Sequence, residues 1–224
     1  MAKNMEIKSY YFIFISFILL SCSSTKDSSK LDEIVELYKN QNKEVEIIEI
    51  PREKILNLPY EILEIRTNGI LKQGVFLSMT SRSTYKNFTS GMGQIVTFNG
   101  AILTKTNGLD VFLNSLEIRN KNPFNNITKI EDLPQKINKV YKFLLPTNKE
   151  QEIELSCLIT PKNEENITIL NQNYALNKVV ETCKNSSLNH TNIYWLDGNG
   201  FIWKSRQWIS QDNKYAEITV LKKI

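Results

Sequence analysis

Short runs of β-forming residues, separated by turn signals, repeat along most of the chain and restrict it to few folds. Two of these runs lead directly into Asn-Gly pairs, Asn99-Gly100 and Asn107-Gly108. An Asn-Gly pair between β-rich runs favours a tight hairpin, because both turn positions then accept a positive φ. Runs of this character cover 45–50, 62–65, 71–79, 94–98, 102–106, 140–145, 152–159, 166–170, 175–181, 193–196, 200–209 and 215–221. The pattern predicts a mainly β fold, either an antiparallel sandwich or a partly open barrel.

Helical patterns are few. Leu31, Ile34, Val35 and Tyr38 recur at helical spacing with acidic residues between them, which predicts one short amphipathic N-terminal helix. The apolar stretch 109–116 is ambiguous, and we interpret it as a helical turn. The expected architecture is therefore a β sheet with one short N-terminal helix.

The first 22 residues have the features of an export signal. Lys3 and Lys8 lie in a short polar start, and an apolar run continues to Leu20 before Ser21 and Cys22. The apolar run is too short for a permanent membrane span, which needs about 20 apolar residues. A cysteine directly after the expected cleavage site is typical of a bacterial lipobox and predicts lipidation of Cys22. The alternative is an ordinary signal peptide that ends near a cysteine.

These features predict three parts of the chain. Residues 1–21 form the lipoprotein signal peptide, and residues 22–30 form the lipidated cysteine with a flexible, polar tether. Residues 31–224 form a single β-rich domain in the periplasm. The formal net charge of +4 is small and the lysines are scattered, so the sequence does not indicate a nucleic-acid partner.

Two further cysteines remain once Cys22 is assigned to lipid. In an oxidising compartment, Cys157 and Cys183 are expected to form a disulfide, with two free buried thiols as the alternative.

The sequence contains no recognisable catalytic or cofactor motif. His190 is the only histidine, and no cysteine or histidine cluster has zinc spacing. Neither a nucleophile elbow, a phosphate loop nor a dinucleotide fingerprint is present. We therefore expect no catalytic residues, no metal and no cofactor. A pair of carboxylates brought together by the fold remains open, because such pairing is spatial.

The segment 201–209 is unusual because it mixes aromatic and hydrogen-bonding side chains. As a strand it places Trp203 and Gln207 on one face, and Arg206 and Trp208 on the other. Sugars are bound by such mixtures, so these four residues are candidates for a glycan or partner surface. The alternative is structural, with the tryptophans in the core and the charged residues in solvent.

Three parts of the chain together resemble the YjbF/GfcB lipoproteins of capsule and exopolysaccharide production. The resemblance rests on 200–209 with 218–222, on 100–109, and on Cys157 with 181–183. It implies an outer-membrane lipoprotein with a mainly β fold, made alongside machinery that secretes polysaccharide, and it implies no activity. Ala101 stands where the family usually has arginine, so no ligand role is carried over to that position.

Together, these observations predict a non-enzymatic accessory factor in export or assembly of a surface polysaccharide. It would be held at the outer membrane by lipid on Cys22 and face the periplasm. Ser23 and Ser24 fit outer-membrane sorting. The expected partners are the membrane, polysaccharide and other export proteins. The alternatives are a structural adaptor that binds secretion proteins without contacting sugar, and a polysaccharide-modifying enzyme.

Overall fold

The computed structural model describes residues 51–68, 73–79, 84–109, 112–119, 121–125, 127–212 and 214–224. This part of the chain forms a single sheet and one short α-helix, α1 (Arg52–Leu56). The strands are β1 (Ile62–Thr67), β2 (Gly74–Ser78), β3 (Tyr85–Ser90), β4 (Ile95–Asn99), β5 (Ile102–Asn107), β6 (Leu113–Ile118), β7 (Lys136–Leu144), β8 (Glu150–Ile169), β9 (Gln172–Lys184), β10 (Asn189–Leu196), β11 (Ile202–Ser210) and β12 (Lys214–Lys222).

The sheet is an up-and-down meander that curls into a nearly closed barrel. Its strand order is β5-β4-β3-β2-β1-β12-β11-β10-β9-β8-β7-β6, and every neighbouring pair is antiparallel. The first and last strands are therefore partners, and the seam lies between β5 and β6, which follow each other in sequence. At this seam the Leu113 amide donates a hydrogen bond to Thr106 Oγ1 at 3.1 Å. The mainly β, antiparallel, partly open barrel expected from the sequence is confirmed.

Backbone conformation at the β4–β5 hairpin follows from its turn residues. Asn99 pairs with Ile102, so Gly100 and Ala101 form the loop between β4 and β5. Only Gly100 has a positive φ, +59°, as at the first loop position of a type II′ turn. The expectation that both members of the Asn99-Gly100 pair would be turn positions is wrong, because Asn99 remains in the strand.

The long hairpin β8–β9 extends past the strands that flank it. Pairing of β7 with β8 ends at Leu158, whereas β8 and β9 remain paired to Ile169 and Gln172. Pro161 lies in this extension, where β8 has a partner on one side only and the missing N–H is tolerated. The sequence predicted two separate strands here, and the structure has one.

Two other predictions differ from the structure. The stretch 109–116, interpreted as a helical turn, leads into strand β6, and strand β3 was not predicted. Helix α1 was also not predicted. The amphipathic helix expected at 31–38, the run 45–50, the signal peptide and Cys22 lie outside the described residues.

Two apolar clusters fill the interior. One lies under β6 to β11 and includes Tyr141, Tyr194 and Trp208. The other lies under β1 to β5 and β12 and includes Phe76, Phe88 and Phe98. At one end of the barrel, residues of both clusters line the same cavity.

Candidate functional site

A cavity of about 220 Å³ opens at one end of the barrel, and we call it the end cavity. It lies where β1, β3 and β11 begin and where β4 and β12 end. Antiparallel neighbours bring these termini to the same rim. The cavity is lined by Glu61, Leu63, Thr84, Lys86, Phe88, Phe98, Gly100, Ala101, Phe124, Gly200, Phe201, Ile202, Trp203, Lys204, Ser205, Ile218 and Val220.

The end cavity is polar at its mouth and apolar at its bottom. Thr84 and Lys86 are exposed at the start of β3, whereas Phe88 is 2% exposed. Thr84 and Phe88 are four residues apart in the chain, so the lining changes from exposed and polar to buried and apolar along this segment. At the mouth, Lys86 Nζ forms an ion pair with Glu61 Oε2 at 2.7 Å.

Three half-buried aromatic side chains form an aromatic rim beside the mouth: Tyr174, Phe201 and Trp203. The ring centroids of Tyr174 and Trp203 are 4.9 Å apart, and those of Phe201 and Trp203 are 5.0 Å apart. Lys223 Nζ lies 4.6 Å from the Phe201 centroid and 5.5 Å from that of Trp203. The rim therefore combines flat apolar faces with a cation.

The turn before β11 fixes the orientation of Trp203. Asp197 Oδ1 accepts hydrogen bonds from the Asn199 and Phe201 amides, and Asp197 Oδ2 accepts one from Trp203 Nε1 at 3.0 Å. Gly200 has a φ of +79°, and a Cβ there would collide with the Ile127 carbonyl. The turn thus needs glycine both for its conformation and for close approach of the neighbouring loop.

A second cavity of about 220 Å³, which we call the polar cavity, lies on the other side of this turn. Its lining includes Glu131, Asn177 and Asp197, and Gly200 borders both cavities. Glu131 is exposed, and all the hydrogen bonds made by Asp197 hold the turn. Glu131 and Asp197 thus share a cavity, but both carboxylate oxygens of Asp197 already accept hydrogen bonds that hold the turn.

The structure separates the four candidate surface residues. Trp203 lies at the end cavity, whereas Arg206 lies elsewhere, with its guanidinium carbon 3.6 Å from the Tyr215 ring centroid. Gln207 is 3% exposed and Trp208 is 2% exposed. Two of the four candidates, Gln207 and Trp208, are therefore interior, and the other two lie apart from each other.

Irregular strand pairing explains why both Gln207 and Trp208 are buried. The last pair between β10 and β11 is Ile193 with Arg206, and the register of β11 against β12 shifts after Trp208. Gln207 Oε1 accepts from the Leu103 amide, and Gln207 Nε2 donates to the Ala101 carbonyl. Trp208 instead stacks on His190 with 4.2 Å between centroids.

A buried polar network inside the barrel was not found from the sequence. Lys139 Nζ lies 2.7 Å from Glu181 Oε2, and both side chains are at most 1% exposed. The same carboxylate oxygen accepts from Asn192 Nδ2 and from the Tyr194 hydroxyl. Burial, and then the charge of Glu181, raises the pKa of Tyr194 and Tyr141 well above the usual value.

His190 lies beside this network, and neither of its ring nitrogens has a hydrogen-bond partner among the described residues. Burial, and then the nearby charge of Lys139, lowers the pKa of His190 from 6.5 to about 3. The imidazole is therefore neutral at physiological pH and serves as a packed aromatic ring. The sequence, in which His190 is a single histidine in a polar stretch, did not predict that its side chain would be buried.

Cys157 and Cys183 face each other across β8 and β9 and are joined by a disulfide. Their sulfur atoms lie near the Glu181 carboxylate in a fully buried group. Because both sulfurs are bonded to each other, this group lacks the free thiolates that a metal ion would need.

Comparisons with known proteins agree with this fold. A family model described as "Group 4 capsule polysaccharide lipoprotein gfcB, YjbF" matches residues 36–221. The crystal structure of the hypothetical lipoprotein YmcC from Escherichia coli (K12) superposes with a TM-score of 0.68 and 19% identity, over 90% of this chain and 99% of that chain. No curated protein matches the chain significantly. Among the described residues, no helix has the length and apolar character needed to cross a bilayer.

Proposed function

Because the chain belongs to the YjbF family of group 4 capsule polysaccharide lipoproteins, we propose that it is a non-enzymatic accessory factor in export or assembly of a surface polysaccharide. In this proposal, lipid on Cys22 anchors it to the outer membrane, and the barrel faces the periplasm. The aromatic rim contacts the polysaccharide.

The observation that carries the glycan contact is the fixed, half-buried indole of Trp203 at the cavity mouth. Its Nε1 donates to Asp197, and Tyr174 packs beside it, so the ring position is set before any ligand binds. A flat aromatic face packs well against the C–H face of a sugar ring, and polar groups at its edge reach hydroxyls. Asn177 and Asp197 of the polar cavity lie next to the same turn.

The occupied state of Asp197 supports a non-enzymatic role. Glycoside hydrolysis generally needs two carboxylates free to exchange protons or attack the sugar. In the polar cavity, both Asp197 oxygens are held by donors of the turn. In the barrel interior, Glu181 is paired with Lys139.

Substitution of Trp203 tests the glycan contact. We expect Trp203→Ala to weaken binding of the purified full-length protein to the organism's own soluble polysaccharide by about two- to twelvefold, since stacking contributes roughly 0.5–1.5 kcal/mol per aromatic pair. Secretion of the polymer should fall in the same cells. Binding is measured by isothermal titration calorimetry. The matched control is Phe112→Ala, which removes an aromatic ring that is 53% exposed and distant from the rim in the strand order. Unchanged binding by Trp203→Ala would refute the glycan contact.

The proposed anchor is tested separately by Cys22→Ser. Labelling cells with a radioactive or clickable palmitate should mark the parent protein and leave the variant unlabelled. The variant should then appear in the soluble periplasmic fraction, whereas the parent sediments with the outer membrane. Equal labelling of both proteins would exclude Cys22 as the lipidated residue.

A structural adaptor is the second candidate, favoured by exposed apolar side chains beside the barrel seam. Phe112 is 53% exposed and Leu144 is 40% exposed. The Leu144 amide donates to the Phe112 carbonyl at 3.1 Å, so the two residues are neighbours. An adaptor predicts that Phe112→Ala abolishes secretion and loses a specific co-purifying export protein, while Trp203→Ala has no effect. The same pair of variants therefore separates the two candidate functions.

A further inference from the structure

We propose that the end cavity binds the acyl chain of an amphiphile with an anionic headgroup. The proposal goes beyond the accessory role and does not depend on it, because it rests on the cavity's own shape and chemistry. The chain would lie along the strands, with its headgroup at the mouth.

The walls of the cavity suit an apolar group. Its buried lining includes Leu63, Phe88, Phe98 and Ile218, each at most 4% exposed. Apolar cavities of about 150 Å³ stay dry and bind small hydrocarbons, and this one is about 220 Å³. With this volume and this apolar lining, the cavity accommodates an alkyl chain of several methylenes.

A sugar ring would be poorly accommodated at the bottom of the cavity. Among the described residues that line it, Ser205 is the buried one with a polar side chain, and its hydroxyl already accepts a hydrogen bond from Gln207 Nε2 at 2.9 Å. Sugar hydroxyls placed there would lose their hydrogen bonds to water without replacement. The interior of the end cavity is therefore less suited to a sugar than the aromatic rim, where polar groups and solvent can bond to the hydroxyls.

The charges around the mouth favour an anionic headgroup. Lys86 is paired with Glu61, and Asp197 is held by Trp203 and the turn amides. Lys204 lines the cavity and Lys223 lies over the aromatic rim. Among the residues that the structure describes, neither of these two lysines forms an ion pair with a carboxylate. Lys204 Nζ lies 5.5 Å from the ring centroid of Trp195, which is outside the cavity lining, so of these two lysines it is Lys223 that remains beside the opening.

A chain-length series tests the acyl assignment. The full-length chain carrying Cys22→Ser is titrated with hexyl, octyl and decyl phosphate below their micelle-forming concentrations, and binding is measured by calorimetry. Each added methylene that enters the cavity should strengthen binding roughly fourfold, with a plateau once the cavity is full. Octyl glucoside should bind more weakly than octyl phosphate. Affinity that does not depend on chain length overturns the acyl proposal, and equal affinity for both headgroups overturns the anionic assignment.

Filling the cavity should block it. Ala101 lines the cavity near the mouth, so Ala101→Phe should weaken octyl phosphate binding by about tenfold or more, since the new ring displaces at least two methylenes. The matched control is Ala175→Phe at an exposed position of β9 outside the cavity lining, which should bind like the parent. Equal binding by Ala101→Phe and the parent, with both proteins folded, overturns the proposal.

Fluorescence quenching tests the proposal in the parent protein and so does not depend on whether Ala101→Phe folds. Octyl phosphate brominated in its chain should quench the fluorescence of Trp203, which lines the cavity, whereas Trp195 and Trp208 lie outside the lining. Quenching should disappear in Trp203→Phe. Quenching that persists in Trp203→Phe, or none in the parent, places the chain elsewhere and overturns the proposal.

Discussion

At the scale of single residues, the interior of the barrel holds ionisable groups in unusual states. Lys139 and Glu181 form a buried ion pair that also takes hydrogen bonds from Asn192 and Tyr194. His190 stacks on Trp208, and within the part of the chain that the structure describes no group forms a hydrogen bond with either of its nitrogens. The first is a pair of opposite charges within salt-bridge distance, whereas burial lowers the pKa of His190 and keeps its imidazole neutral. Each makes a different prediction for stability.

His190 should make the protein sensitive to acid. Its pKa is about 3 when folded and 6.5 in the reference state, so below pH 6.5 the unfolded chain gains a proton that the folded chain does not. Stability therefore falls as pH decreases from about 6.5 towards about 3, by about 2–3 kcal/mol at about pH 4.5. His190→Phe keeps an aromatic ring on Trp208 and removes the titration. Urea unfolding at neutral and acidic pH measures the difference.

The comparison between parent and His190→Phe removes the contribution of carboxylates, which titrate in both proteins. The variant should lose less free energy of unfolding on acidification than the parent. Equal losses in the two proteins would contradict the assignment to His190.

Removing one member of the buried Lys139–Glu181 ion pair should lower the free energy of unfolding more than removing both members does. Lys139→Met leaves the Glu181 carboxylate buried without its cation and should cost about 3–5 kcal/mol. The double variant Lys139→Met with Glu181→Leu should recover most of this loss. Arg119→Met, which breaks an exposed pair with Glu154, is the control and should cost less than about 1 kcal/mol. A double variant as unstable as Lys139→Met would show that the pair itself stabilises the fold.

At the scale of elements, β8 and β9 form the longest hairpin among the described residues, and a disulfide joins them next to the end of the β7–β8 pairing. Cys157 pairs with Cys183, whereas the hairpin continues to Ile169 and Gln172. Tyr174 on this extension packs against Trp203 of β11. The hairpin therefore links the disulfide region to the aromatic rim.

Replacing both cysteines should destabilise the protein. The disulfide closes a loop with a sequence separation of 26. Cys157→Ala with Cys183→Ala should lower the free energy of unfolding by about 3 kcal/mol, mainly because the unfolded chain becomes less restricted. Denaturant unfolding with and without a reducing agent gives the measurement. The reducing agent should lower the free energy of unfolding of the parent by the same amount and leave that of the double variant unchanged. A double variant that is destabilised by the reducing agent would contradict this account.

The sequence predicted strands correctly where apolar and polar residues alternate clearly, and it failed where β-bulges interrupt this alternation. Leu113 and Leu116 are three residues apart, which suggested a helix, yet both are buried because the pairing of β6 shifts between Leu113 and Ser115. Strand β3 was missed because Phe88 is its one buried residue. Of the four candidate surface residues, Trp203 lines the end cavity. The burial of both Gln207 and Trp208 accompanies the end of the β10–β11 pairing at Arg206, which no local pattern reveals.

At the scale of the whole molecule, one buried side chain connects distant parts of the barrel. Gln207 on β11 bonds to the backbone of Ala101 and Leu103 at the start of β5, more than a hundred positions away in sequence. β5 and β11 lie far apart in the strand order. The contact therefore crosses the interior and holds the β4–β5 hairpin against the opposite wall.

Gln207→Leu should loosen this connection. The Leu103 amide and the Ala101 carbonyl would lose their partner in a buried place, at a cost of about 2–4 kcal/mol for the two groups. Hydrogen exchange at the Leu103 amide should accelerate more than at β8 and β9 amides. The control Gln211→Leu changes an exposed glutamine and should shift stability by about 0.5 kcal/mol or less. Unchanged exchange at Leu103 in Gln207→Leu would exclude the interior connection.

The pairing of β1 with β12 has a consequence for how the protein is made. A chain delivered N-terminus first can form the β1–β5 and β6–β12 meanders from local contacts as each emerges. The sheet stays in two pieces until the last strand arrives, because β1 needs β12 as its neighbour. Such long-range pairing is slow, and unpaired strand edges invite aggregation. Removing about the last ten residues should therefore leave the two meanders unable to join. Chaperones that shield unpaired strand edges during secretion should in turn raise the yield of folded protein.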